Sequence, residues 1–308
     1  MNRQKKADYL LVTVTLFWGV SYYLMDLCLA QMGPLTLNAM RFLIAFAFLY
    51  AVLFPKVRHV NRITLKYSVL VGLCLASAYL GCTYGVLYTS ISNAGFICSL
   101  PVVFTPLLAF IFKHQIPEKR LILPLVVCLV GLGLLTLNEQ FRPAPGDLIC
   151  LICAVAYAVD LLVTETAVSK EDVNALQLGV YNVGVVGVIM LVLSLLFEKP
   201  HFPTTPVVWG AALFLSIFCS GVAFVVTTVQ QQYTSASHVG LIFTLEPVFS
   251  SIVAFLFAHE VLPPRGYVGA ALMLSSLFLM ETDWKSALSK LFKRPLPADE
   301  QTDKETLP

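Results

Sequence analysis

Residues 89–120 and 234–265 are two versions of one segment, and each lies inside a membrane-length apolar run. The first reads TSISNAGFICSLPVVFTPLLAFIFKHQIPEKR and the second TSASHVGLIFTLEPVFSSIVAFLFAHEVLPPR. Aligned without a gap, they are identical at 13 of 32 positions, 145 residues apart. A duplicated membrane unit with a solute site between its copies is the usual build of a secondary transporter.

Composition agrees with a lipid solvent. The 308 residues are 58% hydrophobic and 12% charged, against about 45–50% and about 25% in a soluble domain. Net charge is +2, and no basic run offers a surface for tracking phosphates, so no nucleic-acid partner is expected. The eight cysteines all fall within apolar runs. Cys150 and Cys153 form a C-x-x-C, but no second pair or nearby histidine completes a zinc set, so the cysteines read as small packing residues and no metal is expected.

Ten runs are long enough for spanning helices: 9–30, 34–54, 67–88, 92–112, 121–137, 147–167, 175–197, 208–230, 236–257 and 266–282. With the N-terminus placed in the cytoplasm, inner segments carry 16 Lys and Arg residues and outer segments 3 (Arg142, Lys199 and Arg265). That asymmetry puts both termini in the cytoplasm. Five spans per half is an odd number, so the second half must be inverted relative to the first. At an offset of 139, the first and sixth spans align Asp8 with Asp147, Trp18 with Tyr157, Val20 with Val159 and Asp26 with Glu165.

The expected fold is therefore an all-α polytopic membrane protein with ten transmembrane helices in two inverted five-helix repeats. Its parts are a cytoplasmic N-terminus (1–8), a first repeat (9–137), an outer linker (138–146), a second repeat (147–282) and a tail (283–308). In the tail, Trp284, Leu288, Leu291 and Phe292 alternate with basic residues as an interfacial helix would, and the acidic end is expected to be disordered.

Particular residues resemble the EamA-type carriers of the drug/metabolite transporter superfamily. They are Phe17-Trp18-Gly19 in the first span, Arg41-Phe42-Leu43 in the second, Leu245-Glu246-Pro247-Val248-Phe249 in the ninth and Gly269-Ala270-Ala271 in the tenth. The likeness covers nearly all of residues 8–282. One departure is His114-Gln115, where the family commonly closes the fourth span with glutamate and where the second half keeps His259-Glu260. The resemblance implies efflux or exchange of a small polar metabolite, often an amino acid, by alternating access through a cavity built from both halves. It also implies a location in the cytoplasmic membrane.

A charge at the bilayer centre costs about 2.5–3.5 kcal/mol on insertion scales, so charged residues in spans should face protein or a cavity. Glu246, mid-span beside Pro247, is a candidate for substrate binding or proton coupling. Its alternative is a structural role, satisfying groups that the proline frees. Arg41 pairs with Asp26 at similar depth, or it receives a substrate carboxylate through a bidentate contact. Asp160, one turn from Tyr157 and Thr164, binds a proton or an amine, or else bonds to a neighbouring helix. Trp18 and Tyr22 share a helix face, as do Tyr84 and Tyr88. Trp18 lies near mid-span, where it lines a cavity or packs in the core. Tyr181 and Asn182 fall where Arg41 has its repeat counterpart. Glu165 is expected to reach towards water, and Asn93 and His238 to cap their helices. Gly81 and Gly85 form a G-x-x-x-G suited to close packing within a monomer or in a weak dimer.

No catalytic set, P-loop or dinucleotide fingerprint is present, so neither an enzyme nor a cofactor is expected. A membrane-embedded transferase using Asp160, Glu246 and His238 is the rival reading. The expected partners are a small-molecule substrate, the lipid bilayer and a proton or counter-solute.

Overall fold

The computed structural model describes residues 3–88, 97–114, 119–136, 145–258 and 263–281, and every regular element among them is helical. In chain order these are α1 (Arg3–Leu29), α2 (Pro34–Val52), the one-turn α3 (Phe54–Val57), α4 (Arg62–Leu87), α5 (Pro101–Lys113) and α6 (Lys119–Thr136). There follow α7 (Pro145–Val168), α8 (Ala175–Phe197), α9 (Pro206–Phe214), α10 (Ala223–Gln230), α11 (Ala236–Phe243), α12 (Glu246–Ala258) and α13 (Pro264–Glu281). A π-helical stretch, Leu215–Val222, joins α9 to α10. Among the described residues seven segments are long and apolar enough to cross a bilayer, and the fold is that of a polytopic membrane protein.

Helix starts follow ordinary capping chemistry. Pro34 and Pro206 open α2 and α9, where a missing N–H costs nothing. Asn61 caps α4, accepting from the Thr64 N–H at 2.6 Å. Asn174 caps α8 through the Gln177 N–H at 3.1 Å. Ser235 caps α11, accepting from the His238 N–H at 3.3 Å. The cap is thus the serine. The ring of His238 instead faces Asp8 across the bundle, Nε2 to Oδ1 at 3.0 Å, with both side chains buried.

Residues 3–8 are helical and continuous with α1, and Asp8 is buried. Glu165, partly exposed, is ion-paired with Lys113 and accepts the Ala236 N–H at 3.0 Å. The ninth run is one candidate span, Ala236–Phe257, broken into α11 and α12. The expected tail helix and Asn93 lie outside the described residues.

The bundle is apolar on its outer face, and a minority of polar residues is buried within its apolar core. Phe110, Phe112, Leu195, Phe197, Phe255, Phe257 and Phe278 are exposed, whereas Arg41, Asn38, Asp160, Asn182, Ser216 and Ser220 are buried. Apolar side chains facing lipid, with polar ones kept inside, are what a bilayer demands. The main packing partners are α4 with α7, α2 with α8, α6 with α13, α1 with α12, and α1 with the helix running through the π stretch. Next come α5 with α7 and with α11, α4 with α8, and α2 with the π stretch.

Glycine sets two of these contacts. A Cβ on Gly19 would lie 2.5 Å from Phe249 Cβ and 2.9 Å from the Ser250 nitrogen, so α12 rests directly on α1. On Gly81 it would meet Cys153 Cβ at 2.8 Å, and on Gly85 Cys150 Sγ at 2.4 Å. The G-x-x-x-G of α4 therefore faces the C-x-x-C of α7 within one chain.

The two ends of α1 are tied differently. Beyond its C-terminus, the 198–205 loop closes over the turn into α2. Glu198 accepts the Leu35 and Thr36 N–H groups at 2.9 and 2.8 Å and the Thr36 hydroxyl at 2.7 Å. A carboxylate at a helix N-terminus satisfies orphan donors and suits the helix dipole. Gln31 bonds to Thr204 and Thr205. His201 is held between the carbonyls of Lys199 and Gln31. Two carbonyl acceptors favour the doubly protonated ring, so these bonds raise the His201 pKa above its ordinary value. At the N-terminal end of α1 the Asp8–His238 and Lys113–Glu165 pairs join helix to helix directly.

Candidate substrate site

The site is built around the break between α11 and α12. Thr244 and Leu245 leave the α-helical path, donating to the Leu241 and Ile242 carbonyls at 3.2 and 3.1 Å. Pro247 has no N–H to continue the ladder, and α12 restarts with Glu246 in its first turn. A carboxylate is stabilised at a helix N-terminus. Glu246 is half-buried, and Tyr22 of α1 is its neighbour across the α1–α12 contact. Gly19, one turn before Tyr22, lets the α12 backbone approach α1.

The π stretch positions the other charged group. Such stretches widen a helix and are frequent at functional sites. Here the Cys219 carbonyl accepts the Trp18 indole N–H at 2.9 Å, and the Ser220 hydroxyl accepts from Arg41 Nε at 2.8 Å. Arg41 is 1% exposed. Its guanidinium lies over the Tyr79 and Phe42 rings at 5.4 and 5.7 Å and touches Met25 Sδ at 3.2 Å. The expected pairing with Asp26 does not occur. Asp26 is exposed and makes no ion pair with Arg41. Arg41 also lies within electrostatic range of Glu246 without forming an ion pair to it.

Aromatic rings wall this region. Trp18 packs edge-to-face on Phe243 at 4.7 Å and on Tyr157 at 6.5 Å, and Tyr157 stacks with Phe243 at 6.2 Å. Trp18 is itself buried, and its only donor is taken by Cys219. What it offers a neighbour is ring area. Asp160 is buried at 6% exposure, and its Oδ1 has no hydrogen-bond partner among the described residues. Tyr157 is within electrostatic range of both Asp160 and Glu246.

The fold thus brings together Trp18, Tyr22, Arg41 and Glu246, with Asp160 beyond Tyr157. Two residues singled out from sequence lie elsewhere. The Tyr181 hydroxyl donates to the Val57 carbonyl at 3.0 Å, and its ring packs with Phe46 and Tyr50, far along α8 towards α3. Tyr84 is near Tyr88 and Glu198, at the end of the bundle that the 198–205 loop covers. Sequence reading missed Tyr79, Tyr157 and Ser220. Tyr157 carried a signal, since it is the residue aligned with Trp18 in the 139-residue offset. Tyr79 and Ser220 carried none, because both act only through the arginine they contact.

Comparison with known proteins agrees with this architecture. The sequence model of the EamA-like transporter family matches residues 5–137 and again 144–282. A transporter of Archaeoglobus fulgidus, named as uncharacterized, is 26% identical over 274 residues, covering 89% of this chain and 85% of its own length. The uncharacterized transporter YoaV of Bacillus subtilis is 23% identical, covering 87% of this chain and 94% of its own. A protein of solved crystal structure shares the fold with a TM-score of 0.77 at 16% identity, over 94% of this chain and 99% of that one. These matches define a membrane transporter. The chain belongs to the EamA-like transporter family.

Proposed function

We propose that this chain is a secondary transporter that moves a small zwitterionic metabolite, an amino acid or close relative, across the cytoplasmic membrane by alternating access, as efflux or exchange. Ten spans in two inverted five-helix repeats carry it, with both termini in the cytoplasm and no chemistry performed on the solute.

Several observations support the inverted repeat. The family matches twice, once in each half. Pro101 and Glu246, which open α5 and α12, are 145 residues apart, as are Lys113 and Ala258, which close them. The packing partners exchange under the same swap of halves. The α1–α12 contact answers α7–α5, α4–α8 answers α2 with the π stretch, and α2–α8 and α6–α13 each map onto themselves.

One observation carries the solute class. Arg41 is buried and Glu246 half-buried in the same interior region, and no ion pair joins them. An amino acid supplies the missing contacts, its carboxylate on the guanidinium and its ammonium on the glutamate. Arginine binds carboxylate bidentately, and the rings of Tyr22 and Tyr79 flank the two groups. Alternatively Glu246 takes up a proton when the solute leaves, which would couple the cycle to pH.

Flux in proteoliposomes tests this. With a panel of labelled amino acids, with and without an imposed pH gradient, at least one zwitterion should cross faster than in empty liposomes. The matching amine and the N-acetylated acid, each lacking one charge, should fail to compete. Equal competition by these single-charge analogues would overturn the assignment.

A further inference from the structure

The fold assembles a thiol cluster that no sequence spacing announces. Cys82 of α4, Cys98 just before α5 and Cys153 of α7 place their sulfurs within 4.8 Å of one another. Cys150, one turn before Cys153, interacts with the Cys98 thiol. Three separate chain segments thus converge on one point.

The cluster is held there by backbone. Gly81 and Gly85 bring α4 against Cys153 and Cys150 closely enough that a Cβ at either position would collide. Cys153 is 5% exposed and Cys150 fully buried, whereas Cys82 and Cys98 are half-buried. Access is therefore from the Cys82–Cys98 side. Cys82 lies within electrostatic range of Arg41 and of the Tyr22–Glu246 pair.

Three sulfurs each about 2.3 Å from one ion lie about 4 Å from each other. The observed spacing reaches that arrangement with sub-ångström adjustment, whereas a disulfide needs two of the sulfurs at about 2.05 Å. The mutual group contains no carboxylate or imidazole. All-sulfur donors select soft ions such as Cu(I), while hard cations require oxygen. Structural Zn²⁺ is almost always four-coordinate, and only three sulfurs share this spacing.

We propose that Cys82, Cys98 and Cys153 form a three-coordinate site for a soft monovalent d¹⁰ ion, Cu(I) or its analogue Ag(I). Binding forms three metal–sulfur bonds and releases two thiol protons to solvent. The metal stays monovalent and no electron moves. Two thiolates and one thiol around the ion leave a net charge of −1. The site is independent of the solute assignment, because binding is measured without transport.

The full chain, purified in detergent and reduced with a phosphine, is titrated with Cu(I) against bicinchoninate. One ion per chain should be retained, with two protons released. Cys82→Ser and Cys153→Ser should each weaken retention at least tenfold, and Cys74→Ser should leave it unchanged. A measurement on the unaltered chain guards against misfolded variants: bound Ag(I) should protect Cys82, Cys98 and Cys153 from maleimide, mapped by mass spectrometry. Retention of less than one ion, a Cys153→Ser chain that binds as well as the parent, or protection confined to other cysteines would each overturn the proposal.

Discussion

The helix break before Pro101 and the break before Glu246 have the same backbone plan and opposite chemistry. Each precedes a 13-residue helix. In each, a turn bonds three residues back, Leu100 to Ile97 at 3.1 Å and Leu245 to Ile242 at 3.1 Å. At the first break the helix opens on proline, and the nearby side chain is the Cys98 thiol facing α7. At the second it opens on an acid that faces Tyr22 of α1, with the proline one position later. Duplicated geometry gives two equivalent places where backbone leaves the helical ladder. Divergence of single residues then decides which place is charged and which is soft.

The sharpest test of that contrast exchanges one residue at each break. Glu246→Gln keeps the shape and removes the charge, and it should slow solute flux at least tenfold, as expected when a charged hydrogen bond of about 1.5–3 kcal/mol is lost. Pro101→Ala should alter flux less than about threefold, since it removes no group that contacts the solute and adds a residue helices favour. Initial rates in proteoliposomes compare the two. Equal losses would mean that the breaks act only as hinges.

Helix contact at the breaks gives a second test, in stability. Gly19→Ala drives a methyl into the α12 backbone and should destabilise by about 2 kcal/mol, within the usual range for overpacking. Gly240 of α11 has its nearest neighbour to an added Cβ, Val102 Cα, at 3.6 Å, an ordinary contact. Gly240→Ala should be neutral or slightly stabilising, because helical alanine exceeds glycine by about 1 kcal/mol. Thermal melting in detergent separates these outcomes.

A smaller effect is expected at the arginine. Arg41→Lys keeps the charge but loses the planar fork that bonds to Ser220 and lies over Tyr79. It should raise the solute KM about tenfold, as loss of one charge-assisted bond predicts, with maximal rate less affected.

The smallest effect lies away from both breaks. His201 has a raised pKa from its two carbonyl partners, so it adds stability that is fully present below its ordinary value of about 6.5 and disappears as pH rises through the folded value. Melting temperature should therefore fall slightly from acid to alkaline pH in the parent chain. His201→Gln should flatten that slope, and an unchanged slope would assign it to another group.

Much of this architecture was legible in the sequence because lipid imposes strong rules. Apolar runs located the helices that the structure describes, although α1 and α4 begin six and five residues before their runs, and Pro247 marked the broken span. The repeat pointed to Tyr157 through Trp18. Contacts that join distant segments were not legible. Asp26 and Arg41 are close in sequence and depth, yet Arg41 turns to Ser220, 179 residues away. His238 looked like a cap because it starts a helix, but its ring finds Asp8, 230 residues away. Tyr181 stood at the counterpart of Arg41, but its hydroxyl belongs to the Val57 carbonyl. The cysteines looked like packing residues because a C-x-x-C alone supplies only two sulfurs. The third and fourth arrive from α4 and from the turn before α5, which pattern alone cannot place.

The central claim is that the two halves are inverted relative to each other across the membrane. Lys56 follows the second run of the first half, and Lys199 follows the matching run of the second half. Single cysteines replacing each, in a chain otherwise free of cysteine, can be labelled in intact cells with a membrane-impermeant maleimide. Inversion predicts that Lys199→Cys reacts from outside and Lys56→Cys only after permeabilisation. Reaction of both from the same side would contradict it.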